Sequence, residues 1–217
     1  MAYYYLETDG RVYLIEERGR LAFPQERQQL PCEVEVLRQI EIAGEKVLYC
    51  KPLIDYYPRD WQHKDLIPSL DRAQPLVRLA VHTSLPRVVT EALIPGEAGQ
   101  LLLVKASRGF NAGKWTLPGG FVGYGETPEQ ATEREVGEEI GVPCQLKRFL
   151  GLESFFGSQS YSMWYMFFYE VELRGMTFRP APDEIAEIGW FPLTAALAQL
   201  QGVKREVVQS FYQASAP

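Results

Sequence analysis

Three glutamates in one short stretch have a spacing that brings their carboxylates together. Glu135, Glu138 and Glu139 lie on what would be a single helical turn. At about 100 degrees per residue, they fall within roughly a third of the circumference of an α-helix. Such a face repels itself unless a cation joins it. Mg²⁺ is the natural candidate, because it binds oxygen ligands and is usually held by carboxylates together with substrate phosphates. The spacing therefore predicts a site for Mg²⁺ and a phosphorylated ligand.

The flanking sequence specifies the helix that would carry these glutamates. Thr127 occupies the cap position, Pro128 the first helical position, and Gln130 lies three residues after the cap, which is a capping-box pattern. Gly141 can adopt the left-handed conformation that ends a helix. A glycine-rich turn precedes the cap and contains Gly119, Gly120, Gly123 and Gly125.

The whole stretch from Gly120 to Val142 resembles the Nudix box of the Nudix hydrolases. The matching positions are Gly120, Glu126, Arg134, Glu135, Val136, Glu138, Glu139, Gly141 and Val142. The alternative is a solvated acidic helix, which is the usual meaning of a charge run. That alternative leaves the glycine turn, the cap and the spacing as coincidences. The resemblance implies a mixed sheet sandwiched between helices and hydrolysis of a phosphoanhydride with Mg²⁺, or with Mn²⁺ in its place.

The resemblance also implies a role for each charged position of the box. The expected metal ligands are the Gly120 carbonyl, Glu135, Glu138 and Glu139, which would hold two ions across the diphosphate. Glu138 and Glu139 are therefore candidate catalytic residues. Glu126 and Arg134 are expected to form a salt bridge that orients the glycine loop against the helix.

A general base is expected outside the box, since in the family it often comes from a loop carboxylate just before a Trp-containing strand. The segment 182–190, PDEIAEIGW, has this pattern. Glu184 is the favoured base, with Asp183 and Glu187 as alternatives. An exposed acidic loop is the other interpretation, and geometry must decide between them.

Loops outside the box would contact the rest of the substrate. The candidates are Arg108, Phe110, Lys114, Trp115, Phe121, Tyr124, Phe155, Phe156 and Tyr161, and among them we favour Arg108, Trp115, Phe121 and Tyr161. The segment 114–122, KWTLPGGFV, resembles the branch of the family that acts on ADP-ribose or NAD-like dinucleotides. The downstream proline of many ADP-ribose hydrolases and the full NADH pyrophosphatase motif are both absent.

Composition bounds the remaining function classes. The 217-residue chain is 46% hydrophobic, which is typical of a soluble globular protein, and its net charge is −6 without a basic cluster. We therefore expect no DNA or RNA duplex as a partner. No apolar run approaches the ~20 residues of a membrane span, so we expect no membrane association and a cytoplasmic location. Cys32, Cys50 and Cys144 are widely spaced, which argues against a zinc ribbon or disulfide framework.

The first third of the chain is predicted to be β-rich. Asp9-Gly10 marks one hairpin, and the segments 33–37 and 46–49 form a second alternating pair. The proline-rich segment 52–86 predicts an irregular connection that could include a short helix. This segment contains three aromatic residues, Tyr56, Tyr57 and Trp61. They would stack on a base, line a subunit interface or pack the loop onto a small domain, and we favour the last.

We place the domain boundary in the 70s or 80s, giving domains of 1–80 and 81–217. The second alternates strands and helices: strands at 87–94, 101–106, 149–156, 162–173 and 188–192, and helices at 193–200 and 203–213 beside that of the box. The expected fold class is α/β (α+β), an α/β/α sandwich preceded by a small β-rich domain that serves as a homodimer interface or a substrate lid.

Two functions from different classes fit these features. The first is a Mg²⁺-dependent hydrolase of nucleoside diphosphates linked to another moiety, and we favour it because the box is intact. The second is a nucleotide-sensing module that binds without cleaving, which the extra N-terminal domain motivates.

Overall fold

The structure is a computed structural model that describes residues 2–109, 111–157 and 162–214. The chain forms two compact units, one built mainly from Met1–Leu85 and the other from Pro86–Gly157 and Met163–Pro217. This division falls just after a helix that ends at Ser84, and the domain bounds of 1–80 and 81–217 remain a prediction. Within the described residues, no helix has both the length and the apolar character needed to cross a membrane.

The first unit is built on a five-stranded sheet with an additional hairpin. Its strands are β1 (Ala2–Thr8), β2 (Arg11–Tyr13), β3 (Ile15–Glu17), β4 (Arg20–Ala22), β5 (Val34–Ile42), β6 (Glu45–Pro52) and β7 (Gln62–His63). The sheet order is β5-β6-β1-β2-β7, and β3 pairs with β4 alone. The β1–β2 turn places Asp9 and Gly10 at φ 46° and 67°, as a tight hairpin turn requires. Both predicted hairpins, β1–β2 and β5–β6, are confirmed.

The proline-rich segment is more regular than the sequence suggested. It contains a 3₁₀ helix, Lys64–Ser69, and a ten-residue helix, α1 (Pro75–Ser84). Pro75 is the first residue of α1, where its missing N–H costs no hydrogen bond. The sequence allowed for a short helix in this connection, and α1 is such a helix. Val77 and Ala80 of α1 are buried in the core of this unit.

The three aromatic residues of that segment do not act as one set. Trp61 is only 4% exposed, and its ring centroid lies 5.3 Å from that of Tyr13. Trp61 therefore packs onto the small domain, as favoured. Tyr56 and Tyr57 are exposed, and Arg11 donates a 3.0 Å hydrogen bond to the Tyr57 hydroxyl.

The second unit is a mixed α/β domain. Its elements are β8 (Arg87–Leu93), β9 (Gln100–Ala106), β10 (Trp115–Thr116), β11 (Gly119–Phe121), α2 (Pro128–Ile140), β12 (Cys144–Phe156), β13 (Met163–Leu173), β14 (Ile185–Pro192), α3 (Leu193–Gln199) and α4 (Gly202–Ala214). One sheet has the order β10-β9-β14 and the other β11-β8-β13-β12, with β8 and β13 parallel. The mixed sheets confirm the expected fold class.

Two strands are longer than predicted. β12 begins at Cys144 rather than at residue 149, and two irregularities in its pairing with β13 interrupt the alternation that would have revealed it. β14 begins at Ile185 rather than at residue 188. The acidic segment at 183–187 is therefore only partly a loop.

Alternate residues of the central strands face two separate cores. Leu102 of β9 packs with Val136 and Ile140 of α2, whereas Leu103 packs with Val208 of α4. The sheet strands therefore lie between α2 on one side and α4 on the other. This arrangement fixes the position of α2 against β8 and β11.

Candidate active site

Local sequence fixes both ends of helix α2. Thr127 accepts a 3.3 Å hydrogen bond from the Gln130 amide, and the Gln130 side chain accepts one of 2.9 Å from the Thr127 amide. This reciprocal pair is the capping box predicted from the sequence. Gly141 ends the helix at φ 73°, and its amide donates to the Gly137 carbonyl. The glutamates between these ends are therefore held at fixed positions along one rigid element.

The glycines of β11 allow the strand to approach the carboxylates of α2. The Gly119 amide donates a 2.9 Å hydrogen bond to Oε2 of Glu139. A Cβ on Gly120 would lie 2.5 Å from the Glu135 carboxyl carbon. The Gly120 backbone therefore lies against Glu135 at a distance that no other residue type permits. Three of the four predicted metal ligands therefore lie where β11 approaches α2, namely Gly120, Glu135 and Glu139.

Arg134 links the other charged positions of the predicted site. Its guanidinium binds Glu126 in a bidentate manner, with Nε to Oε1 at 2.8 Å and Nη2 to Oε2 at 3.0 Å. Nη1 contacts Glu135 at 2.8 Å and Glu138 at 2.9 Å, and Nη2 donates to the Phe121 carbonyl at 2.9 Å. Glu126 also accepts from the Gly123 amide at 2.8 Å. Arg134 thus ties α2 to the glycine-rich loop.

Burial raises the pKa of two carboxylates on the α2 face. The pKa of Glu139 is raised to about 8, chiefly by burial and further by the charges of Glu135 and Glu91. Burial also raises the pKa of Glu135, and the charges of Glu138 and Glu184 add to the effect. In contrast, the hydrogen bonds from Arg134 lower the pKa of Glu126. Burial and the neighbouring acids therefore make these two carboxylates costly to ionise in the metal-free protein.

The donor set fits a divalent cation, although the carboxylates are not gathered around one point. Across residues 2–109, 111–157 and 162–214, no three acidic, histidine or cysteine side chains form a ready metal cluster. Arg134 holds Glu135 and Glu138, and the Gly119 amide holds Glu139. The donors are all oxygen atoms, which is the chemistry that Mg²⁺ and Mn²⁺ prefer. A cation would offset the burial and the mutual repulsion that raise the pKa values of Glu135 and Glu139.

The three candidates for the general base have different surroundings. Glu184 forms an ion pair with Arg108, and its charge contributes to the raised pKa of Glu135. Glu187 pairs instead with Lys105 at 2.7 Å. Asp183 precedes β14, and its charge is not among those that raise the pKa of Glu135. Among the three, Glu184 is thus the one whose charge acts on the α2 face.

The candidate wall residues fall into several groups. Phe121 is 57% exposed, its ring lies 5.7 Å from that of Trp164, and Trp164 stacks on Phe155 at 6.3 Å. Trp115 is half-buried and packs edge-on against Phe191 at 4.7 Å. The exposed candidates are Arg108, Lys114, Tyr124 and Phe156. Phe110 and Tyr161 lie outside the described residues.

Three residues near the site were not anticipated as functional. Trp164 lies within the apolar strand β13, and its ring connects Phe121 to Phe155. Glu91 in β8 and Lys204 in α4 form a buried ion pair at 2.5 Å. The only sequence signal for Glu91 is a single acid within the apolar run VVTEALI, and Lys204 has none.

Comparison with known proteins identifies relatives of the second unit. The NUDIX domain family model matches residues 85–211. The NAD-capped RNA hydrolase NudC of Chromobacterium violaceum is 32% identical over 110 residues, which is 51% of this chain and 40% of that protein. The ADP-ribose pyrophosphatase of Methanocaldococcus jannaschii is 39% identical over 77 residues, which is 36% of this chain and 43% of that protein. The chain thus spans less than half of these two relatives.

A solved structure gives the same grouping. The MutT NUDIX hydrolase from Burkholderia pseudomallei superposes with a TM-score of 0.51 and 31% identity. The match covers 58% of this chain and 98% of that one.

Proposed function

The chain belongs to the Nudix hydrolase family, and we propose that it hydrolyses the pyrophosphate bond of a nucleoside diphosphate linked to another moiety. We propose ADP-ribose or an NAD-like dinucleotide as the preferred substrate class. The observation that carries the proposal is the carboxylate face of α2: Glu135 lies against the Gly120 backbone, and Arg134 ties α2 to the adjacent Phe121 carbonyl.

A divalent cation, Mg²⁺ or Mn²⁺, would supply the charge that neutralises the diphosphate and lowers the pKa of the attacking water. Glu135, Glu138, Glu139 and the Gly120 carbonyl are the residues that would hold it. The protein's own contribution is to fix these oxygens. α2 is rigid, and Arg134 and the Gly119 amide orient the carboxylates before the substrate binds.

We propose Glu184 as the general base that takes a proton from the attacking water. The charge of Glu184 helps to raise the pKa of Glu135. Glu184 also forms an ion pair with Arg108, which lies just after β9. The Ser107 amide further anchors this segment by donating a 2.7 Å hydrogen bond to the Glu184 carbonyl. Glu184→Gln is expected to lower kcat by about a hundredfold or more, as loss of a general base usually does.

Glu187→Gln is the matched control for the base assignment, because Glu187 lies in the same segment and pairs with Lys105. Its kcat should stay within about twofold of that of the unmodified protein, since an exposed ion pair contributes little. A kcat in Glu187→Gln that falls as far as that in Glu184→Gln would move the base role elsewhere in the segment.

Two observations support the dinucleotide preference. The exposed Phe121 ring adjoins Trp164 and Phe155, and aromatic faces of this kind can stack on a nucleobase. Two of the relatives are named for NAD-capped RNA and for ADP-ribose. The expectation that no DNA or RNA duplex is a partner remains a prediction, and NAD-capped RNA belongs among the compounds to test.

A substrate panel tests the proposal. It comprises ADP-ribose, NADH, NAD-capped RNA, diadenosine polyphosphates, nucleotide sugars, coenzyme A and nucleoside triphosphates, each with Mg²⁺ and with Mn²⁺. We expect turnover of ADP-ribose or NADH to exceed that of the triphosphates. Tight binding of one compound without turnover would replace the hydrolase with a nucleotide-sensing module.

A further inference from the structure

A buried pair of opposite charges lies on the side of β8 that faces α4. The Glu91 side chain is 6% exposed and that of Lys204 is 16% exposed, and Nζ lies 2.5 Å from Oε1. Lys204 also donates a 2.7 Å hydrogen bond to the Thr116 hydroxyl. Burying such a pair adds little to stability, because the loss of hydration offsets the attraction between the charges. The pair therefore calls for a reason other than packing.

The strand register places Glu91 beside the carboxylates of α2. Glu91 pairs with Gly119 across β8 and β11, and the Gly119 amide is the group that binds Glu139. The charge of Glu91 acts on Glu139, and the charge of Glu135 acts on Glu91. Glu91 is thus a fourth carboxylate within electrostatic reach of two predicted metal ligands, on a different element.

One oxygen of Glu91 is unused. Oε1 receives Lys204, whereas Oε2 is buried and has no hydrogen-bond partner among the described residues. A buried carboxylate oxygen without a donor is costly, and native proteins rarely leave one unless a ligand completes it. Glu91 pairs with Gly119, whose amide binds Glu139, so the ligand that the free oxygen suits is a cation.

We propose that Glu91 is a further ligand of the divalent-cation centre, bound through Oε2, and that Lys204 clamps its other oxygen. The proposal rests on the proposed function, because it adds a donor to the same centre. It extends the donor set beyond α2 and the Gly120 carbonyl to strand β8. Without a cation, each of these carboxylates is bound by a donor of the protein itself. Arg134 binds Glu135 and Glu138, the Gly119 amide binds Glu139, and Lys204 binds Glu91.

Direct cation binding to the full chain tests the proposal without any substrate. Mn²⁺ affinity is measured by calorimetry, and the number of water molecules on bound Tb³⁺ is obtained from its luminescence lifetimes in H₂O and D₂O. Glu91→Gln nearly preserves shape and can still accept from Lys204. It should weaken Mn²⁺ binding by about tenfold to a hundredfold and add one water molecule to bound Tb³⁺.

Two further variants separate a direct ligand from a distant charge. Glu91→Asp keeps the charge but withdraws the carboxylate by one methylene, so it should also weaken Mn²⁺ binding and add a Tb³⁺ water molecule. Glu129→Gln is the matched control, because Glu129 lies at the start of α2 and its carboxylate already accepts a 2.7 Å hydrogen bond from Tyr169. Its Mn²⁺ affinity and Tb³⁺ hydration should be unchanged.

The outcomes distinguish this proposal from the proposed function. If the unmodified protein binds Mn²⁺ and Glu91→Gln binds it equally well, or if the Tb³⁺ hydration of the folded variant is unchanged, Glu91 is not a ligand and the hydrolase proposal stands. Full affinity in Glu91→Asp would likewise reduce Glu91 to a distant charge and overturn the proposal. If the unmodified protein binds no divalent cation, the proposed function fails first.

Discussion

Gly120→Ala perturbs the centre at one defined contact. The added Cβ would lie 2.5 Å from both the carboxyl carbon and Oε1 of Glu135, and 2.6 Å from Oε2. Gly120 does not have a positive φ, so the backbone itself tolerates alanine. The atoms in conflict belong to the end of a flexible side chain. The fold should therefore survive, and the Glu135 carboxylate should be displaced.

The size of the displacement follows from the contact distance. An ordinary contact begins near 3.4 Å, so the carboxyl must retreat by about 0.9 Å or rotate away. Misplacing a catalytic group by about 1 Å typically costs on the order of a hundredfold in rate. We expect Gly120→Ala to lower kcat by about that factor and to weaken Mn²⁺ binding, with a melting temperature within a few degrees of the unmodified protein.

Two other glycines provide controls for the same substitution. Gly137 lies within α2, and a Cβ added there would meet no atom within 4 Å, so Gly137→Ala should preserve kcat and stabilise the helix by roughly 0.5–1 kcal/mol. Gly119→Ala would place its Cβ 2.1 Å from the Thr90 carbonyl oxygen at φ 150°, and should impair folding.

The assay combines thermal unfolding, Mn²⁺ calorimetry and steady-state kinetics on the three variants. If Gly120→Ala retains the kcat and the Mn²⁺ affinity of Gly137→Ala, then Glu135 does not need its observed position, and the assignment of this edge as the metal-binding face is refuted.

Three further predictions concern charge, scaffold and assembly. The pKa of Glu139 is raised to about 8 in the folded protein from an unfolded value near 4.3. The metal-free protein should therefore lose stability as pH rises from about 5 to 8, by at most about 1.4 kcal/mol per pH unit. Urea titrations at a series of pH values should show this slope, and Glu139→Gln should flatten it. Arg134→Lys should lower the free energy of unfolding by about 1–3 kcal/mol, because a lysine cannot bind both Glu126 and the Phe121 carbonyl. Arg174→Lys is the control: Arg174 makes an exposed contact with Gln145, so its replacement should change the free energy of unfolding little. We expect a homodimer through the β5 edge, where Val36 and Leu37 are exposed, and a monomeric mass by light scattering at micromolar concentration would count against it.

The sequence predicted the parts of the site that depend on local spacing. Thr127, Gln130 and Gly141 specify the ends of α2 through contacts within one or two turns, and the face that carries Glu135 and Glu139 follows from helix periodicity. The short helix allowed for in the proline-rich segment was not given a position because prolines dominate its surroundings, although Pro75 at the first position of α1 is a start signal that could have been used.

Contacts between distant segments could not be predicted in the same way. Glu91 and Lys204 meet only because β8 and α4 pack in the second unit, and no local pattern connects them. The contacts of Phe121, Trp164 and Phe155 depend on the pairing of β11 with β8, of β8 with β13 and of β13 with β12. The sequence pattern favoured Glu184 as the general base but could not separate it by geometry from Asp183 and Glu187. The structure adds that the charge of Glu184 raises the pKa of Glu135.

The most direct test of the central claim is product analysis with ADP-ribose and NADH in the presence of Mg²⁺, comparing the unmodified protein with Glu139→Gln. Hydrolysis at the pyrophosphate should release AMP together with ribose 5-phosphate or the reduced nicotinamide mononucleotide. Glu139→Gln should lower that rate by about a hundredfold or more, because it removes a charged donor from the metal-binding face. The absence of turnover of every panel compound with either Mg²⁺ or Mn²⁺, or full activity in Glu139→Gln, would contradict the claim.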